Sequence, residues 1–284
     1  MKKQLIGFIG QGWIGKHYAN DFEARKFPVV RYSLEPEYQK NKEKIKDCDI
    51  VFIAVPTPTT PEGFDDSIVR GTIRLVGEGK IAVIKSTVTP GTTEAIQQEN
   101  PNIFVLNSPE FLTESTAQHD ASFPKRNIIG VPGKKPLGME KAKTVMNILS
   151  RAPYTKICSA REAELIKYGR NVLGYFRVIF VNLLYDLTLK LGADWEVIRE
   201  AMSADPDNSP TYMNPLHKKG RGAGGHCFIK DFATFIDLYE TIMGDKEGSA
   251  VLRSLEQKNI ELLQSTNKDL DLLKEVYGSS LKRK

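Results

Sequence analysis

The residues able to do chemistry lie in four places. Gly10-Gln11-Gly12-Trp13-Ile14-Gly15 follows the apolar run Leu5 to Ile9 and opens a helix-compatible stretch from about Lys16 to Arg25. Glycines at this spacing, between a strand and a helix, suit a dinucleotide. Gly10 permits the tight turn, Gly12 lets backbone N–H groups approach a pyrophosphate, and Gly15 lets the helix pack on the strand. A glycine-rich turn without a ligand is the plainer alternative. Cys227 alone among the three cysteines sits in a glycine-rich loop leading into a helix, with Lys230 and Asp231 close behind. A helix N-terminus and a nearby ammonium favour a thiolate, which can add to an aldehyde and hold it covalently. A lone cysteine is more often a small buried hydrophobe, and Cys48 and Cys158 are read that way. Lys167 and Asn171 are four apart, so they share one side of a helix. A cation and an amide there could stabilise an alkoxide, although by residue type alone a solvated helix face is the stronger reading. Glu110 and Glu114 follow the run Ile103–Leu106, where ligands collect in open parallel sheets. One could be a general base; the alternative is capping of a helix N-terminus.

The elements that must position these residues divide the chain in two. The continuous apolar runs Ile50–Val55, Ile81–Ile84 and Ile103–Leu106, with Leu5–Ile9, Val29–Tyr32 and Asn127–Val131, alternate with helical lengths. This predicts an α/β doubly wound, Rossmann-like parallel sheet over 1–158, the NAD-binding domain. Residues 159–284 predict an all-α domain around a long central helix, Arg161–Leu191, apolar over much of its circumference and ended by Gly192. Shorter helices are expected at about Asp194–Ser203 and Lys230–Ile242, with a further long helix over Ser249–Tyr277. So apolar a central helix predicts burial against other helices or a second copy, hence a homodimer. The 284 residues suit two domains, and the composition, 40% hydrophobic and 26% charged, is that of a globular protein. The net charge of +5 is spread along the chain, with only Lys282-Arg283-Lys284 clearly basic, which argues against a nucleic-acid polymer as partner. Three widely spaced cysteines make no disulfide framework and point to a reducing cytoplasm. The four histidines do not cluster, and no metal site is expected. The N-terminal apolar run is too short for a signal peptide. Arg177, Asp186 and Lys190 interrupt the longest later stretches, so no membrane span is expected.

Five further segments, in this order, resemble the UDP-glucose/GDP-mannose (nucleotide-sugar) dehydrogenase family. They are Val51–Pro58, Lys85–Glu94, Ser108–Glu114, Ala163–Asn171 and Gly224–Asp231, the last reading Gly-Gly-His-Cys-Phe-Ile-Lys-Asp. The resemblance implies oxidation of the C6 primary alcohol of a nucleotide sugar, UDP-glucose favoured, to a carboxylate with reduction of two NAD. It makes Cys227 the nucleophile of a thiohemiacetal and a thioester, with Lys167, Asn171, Asp231, Glu110 and Thr87 as the other catalytic residues. It places NAD on Gly10, Gly12, Trp13, Ile14, Gly15, Ser33, Pro56, Thr57, Thr87 and Lys230. Substrate falls to Glu110, Phe111, Leu112, Glu114, Lys167, Asn171, Tyr212 and Gly224.

Three departures accompany the resemblance. Where a carboxylate would take the ribose hydroxyls, the segment reads Arg31-Tyr32-Ser33-Leu34-Glu35, so Arg31 and Ser33 could suit a 2′-phosphate, with NAD still preferred over NADP. The family's C-terminal nucleotide-binding domain is not expected within these residues. An arginine usual before the cysteine loop is missing, and Lys218, Lys219 and Arg221 could replace its phosphate contacts; a solvated loop is the equal alternative. Two other readings remain: a two-electron β-hydroxyacid-type dehydrogenase, which needs no cysteine, and a dinucleotide-binding pseudoenzyme.

Overall fold

The structure, a computed structural model, describes residues 3–133, 136–279 and 281. The basic tail Lys282–Lys284 lies outside them. The chain groups into two units, Met1–Thr57 with Asp65–Lys167, and Pro58–Phe64 with Tyr168–Lys284.

The first unit holds β1 (Ile6–Ile9), α1 (Trp13–Ala24), β2 (Val29–Tyr32), α2 (Pro36–Gln39) and β3 (Ile50–Ile53). The hairpin β4 (Thr59–Thr60) and β5 (Gly63–Phe64) belongs to the other unit. The first unit resumes with α3 (Ser67–Ile73), β6 (Ile81–Ile84), α4 (Thr92–Glu99), β7 (Phe104–Asn107), α5 (Ala117–Ser122), β8 (Arg126–Val131), α6 (Pro136–Ile148) and β9 (Tyr154–Ser159). Its sheet runs β2-β1-β3-β6-β7-β8-β9, parallel throughout except where β8 meets β7. The sheet is therefore mostly parallel and Rossmann-like, with one reversal that the apolar runs did not signal. Each residue of β1, β3 and β6 is buried, as strands covered on both faces must be. Phe8, Phe22 and Phe52 interlock at the centre, with Phe8 and Phe52 stacked at 5.0 Å. The edge strand β9 escaped prediction because Tyr-Thr-Lys-Ile-Cys-Ser is half exposed and carries no continuous apolar run.

The helix α7 (Ala160–Lys190) begins in the first unit and continues in the second. It is long and apolar enough to cross a membrane by length and composition. Here its Val172, Tyr175 and Ile179 form a core with Phe232, Ile236 and Leu252. The second unit continues with α8 (Trp195–Ala204), α9 (Gly225–Met243), α10 (Lys246–Ser265) and α11 (Leu270–Tyr277). Two expectations are corrected. The helix after the cysteine loop starts at Gly225 and not near Lys230, so Cys227 lies in its first turn. The long helix predicted over Ser249–Tyr277 is two helices. Asn267 and Asp269 adopt left-handed backbone, φ 52° each, and turn the chain between them. The apolar spacing continues across that turn because Leu273, Val276 and Tyr277 fold back on Ile229, Ala233 and Leu263.

Candidate active site

Parallel pairing brings the ends of β1, β3, β6 and β7 to one edge of the sheet, and the sequence motifs occupy those ends. At the end of β1, Gly10 has φ 89°, and a Cβ there would strike the Ala54 carbonyl. A Cβ on Gly15 would strike the Gly10 carbonyl oxygen. Gly12 differs: a Cβ there meets nothing within 4 Å. It precedes α1 with no side-chain cap, and no acidic residue lies in the first turn. The helix N-terminus is thus left to its own N–H groups with open space before it, which is what a diphosphate requires. Trp13 is exposed, and Ile14 packs on the sheet core.

Beside it, Arg31 is committed elsewhere. Its guanidinium pairs with Glu23 at 2.7 Å and donates to Asn20 and Gln11. Ser33 Oγ accepts from the Glu35 amide in a local turn. Pro56 is exposed, whereas Thr57 is buried and donates to the Thr87 carbonyl, tying the β3 and β6 loops together.

The end of β7 carries a buried ion cluster. Glu110 Oε1 accepts from Lys167 Nζ at 2.6 Å, its carbonyl accepts from the same ammonium at 2.9 Å, and Oε2 accepts from the Leu112 amide at 2.7 Å. Burial pushes the Glu110 carboxyl up, but Lys167, the Leu112 amide and Lys85 outweigh it and hold it below the usual carboxylate range. Glu110 is therefore an ionised carboxylate, not a helix cap. The Leu112 amide is spent on Glu110, and its side chain packs on the sheet core. Phe111 lies under the Arg126 guanidinium, 3.8 Å from ring centroid. Glu114 is exposed at the start of a short 3-10 turn.

Lys85 was missed as a site residue. It continues the fully buried strand β6, and a lysine directly after four apolar residues was the available signal. Its ammonium donates to the Ser108 carbonyl at 3.0 Å and Oγ at 3.2 Å, and lies 4.2 Å over the Tyr18 ring. Burial pushes its pKa down to about 7, only partly opposed by Glu110.

The second unit carries its own polar network. Asp231, fully buried, accepts from Asn171 Nδ2 at 2.6 Å and from Lys230 Nζ at 2.6 Å. Lys230 is thereby engaged with its neighbour's carboxylate. Cys227 is exposed. By contrast, burial pushes the Cys48 thiol up to about 12, and it raises Cys158 as well. Tyr212 has φ 67° and packs edge-on against Phe228, 5.3 Å between centroids. Gly224 leaves no room for a Cβ beside the Asp269 carboxylate. The basic loop is not uniformly available: Arg221 pairs with Asp186 at 2.8 Å and with Asn182, while Lys218 and Lys219 are exposed. Among the described residues no cluster of metal ligands is found.

Residues 30–149 match the NAD-binding domain of the UDP-glucose/GDP-mannose dehydrogenase family, and residues 161–259 match its central domain. The chain belongs to that family. The dinucleotide fold of the first unit is accordingly an NAD-binding domain. The UDP-glucose 6-dehydrogenase YwqF of Bacillus subtilis is 29% identical over 266 residues, 88% of this chain and 57% of that one. The UDP-glucose dehydrogenase of Pyrobaculum islandicum superposes with a TM-score of 0.79 at 27% identity, covering 97% of this chain and 72% of that one. The 3-hydroxyisobutyrate dehydrogenase of Mycobacterium tuberculosis matches with a TM-score of 0.70 at 15% identity, which shows the fold alone. The chain spans about half the length of most of the curated relatives it matches.

Proposed function

We propose that this protein oxidises the C6 primary alcohol of a nucleotide sugar, UDP-glucose, to the carboxylate at the expense of two NAD. The observation that carries the reading is Cys227, an exposed thiol in the first turn of α9, four residues before the buried Asp231 network. The names of the relatives support the substrate class.

NAD, when bound, accepts hydride. Among the described residues, Lys167 spends two of its three N–H bonds on Glu110, and a third is suited to an alkoxide as the alcohol loses its proton. Glu110, ionised, accepts that proton directly or through a water. Loss of the first hydride from the alkoxide carbon to the bound dinucleotide leaves the aldehyde, and the Cys227 Sγ then adds to its carbon, forming a C–S bond as the C=O π bond opens to an oxyanion. Loss of the second hydride leaves a thioester, and attack by water breaks the C–S bond, releasing the carboxylate and the thiol. Asp231 holds Asn171 and Lys230 in place, and each is oriented through it.

Counting NADH per UDP-glucose tests the reading: two are expected. In Cys227→Ser, carboxylate formation is expected to fall at least about 1000-fold, a loss of about 4 kcal/mol in transition-state stabilisation. Full two-hydride turnover by that variant would overturn the covalent route. A single NADH per substrate from the unaltered protein would favour a two-electron dehydrogenase. Leu173, Phe180, Leu183 and Leu187, exposed along one side of α7, support a homodimer as the working form.

A further inference from the structure

The loop that leads into Cys227 is held by residues distant from it in sequence. Arg221 N donates to Thr266 Oγ1 at 3.0 Å, and Lys268 Nζ donates to the Gly222 carbonyl at 2.9 Å. Asn259 accepts from Ala223 N at 2.6 Å and donates to Ala223 O at 3.0 Å. Asp269 Oδ2 accepts from Gly225 N at 2.7 Å. Four of the five positions from 221 to 225 are gripped in this way. Gly224 makes room for the Asp269 carboxylate, and a Cβ on Gly220 would lie 2.7 Å from that of Lys268. Three of the four gripping residues, Thr266, Lys268 and Asp269, lie beyond residue 259, where the match to the central domain ends. They occupy the turn whose left-handed Asn267 and Asp269 interrupt the helix. Left-handed backbone at residues with a Cβ is disfavoured and persists where surrounding contacts impose it. Lys268 is itself buried, which lowers its affinity for a proton although its partner is a neutral carbonyl. A buried ammonium is costly, and this one is spent on a carbonyl of the cysteine loop.

We propose that Lys268 and Asp269 are positioning residues for the nucleophile: the α10–α11 turn grips residues 222–225 and so sets the N-terminus of α9 and the placement of Cys227 in its first turn. This rests on the reading of Cys227 as nucleophile. Asp269 acts in two ways. Its oxygen takes the first N–H of α9, which fixes the helix start. Its negative charge lies at the helix end that carries the thiol, so it opposes the thiolate through space.

Both effects can be read from Cys227 without turnover. In a Cys158→Ser background, the rate of iodoacetamide alkylation at Cys227 is followed against pH. Asp269→Asn keeps an acceptor for Gly225 N and removes the charge, and it is expected to lower the pH midpoint of alkylation by about half a unit. Asp269→Ala and Lys268→Met release the loop and are expected to lower kcat about tenfold or more. Their NAD affinity, read by Trp13 fluorescence, is expected to be unchanged. A midpoint that stays put in a folded Asp269→Asn protein would overturn the electrostatic role. Unchanged kcat in folded Asp269→Ala and Lys268→Met would overturn the positioning role, and Asp269→Asn keeps the test open should the alanine variant fail to fold. The alkylation series is independent of the hydride count with Cys227→Ser, so failure of the nucleophile reading and failure of the brace are distinguishable.

Discussion

At the scale of single residues, the site is governed by what burial does to charge. Glu110 and Lys167 are buried together and pair at 2.6 Å, and the ammonium helps hold the Glu110 carboxyl below the usual carboxylate range. Lys85 lies near the same cluster but, among the described residues, donates to Ser108, a neutral partner, and its pKa sits at about 7. Its value in the unfolded chain is near 10.4. Between these pH values the unfolded chain binds more protons, so this residue makes folding more favourable as pH rises from about 7 toward 10, with its full penalty present below 7. Lys85→Met is expected to flatten that part of the stability curve and to raise stability most at and below pH 7. Urea unfolding of both proteins from pH 6.5 to 10 checks this; a difference between them that does not vary with pH would refute it. The same residue shows the limit of a motif. The segment Lys85–Glu94 was legible as family-like, but the lysine's role depends on Tyr18 and Ser108, which reach it only in the fold.

At the scale of elements, the β1–α1 turn separates packing glycines from a binding glycine. Gly15→Ala drives a Cβ into the Gly10 carbonyl and is expected to destabilise the protein by several kcal/mol or prevent folding. Gly12→Ala meets open space. It is expected to leave Tm within about 2 °C and weaken NAD binding about tenfold or more, because the methyl occupies the approach of the diphosphate. Thermal melts paired with calorimetric NAD titration distinguish the two; a Gly12→Ala protein with unchanged NAD affinity would contradict the assignment. The central strands and α7 were readable in advance because continuous apolar runs and helical spacing are local properties. The strand β9 was not, since a half-exposed edge strand has no such signature. Nor was the break at Asn267–Asp269, where apolar spacing continues across a turn imposed by packing on α9.

At the scale of the whole molecule, α7 presents Leu173, Phe180, Leu183, Leu187 and, just past its end, Leu191, each at least 46% exposed and three, four or seven residues apart. These positions form a stripe along one side of a helix whose other side fills the core of the second unit. An exposed apolar stripe of this length is expected to be covered by a second copy. Light scattering should give twice the chain mass at micromolar concentration, and the pair Phe180→Asp with Leu187→Asp should reduce it to the monomer. A monomeric unaltered protein would refute the dimer.

The sequence by itself determined the strand-turn-helix of the NAD site, the mostly parallel sheet, the helical second half and the membership announced by Cys227, Lys167, Asn171 and Glu110. Each depends on residue type and short spacing, which the chain carries along its length. The tertiary structure alone decided which charges are available. Arg31 and Arg221 were candidates for phosphate, but Glu23 and Asp186 claim them. It also decided what grips the cysteine loop: Asn259, Lys268 and Asp269 act across 36 to 46 positions of chain. A hydrogen bond or an ion pair at that separation leaves no periodic trace, because its partners meet only after hydrophobic packing has brought α9, α10 and α11 together.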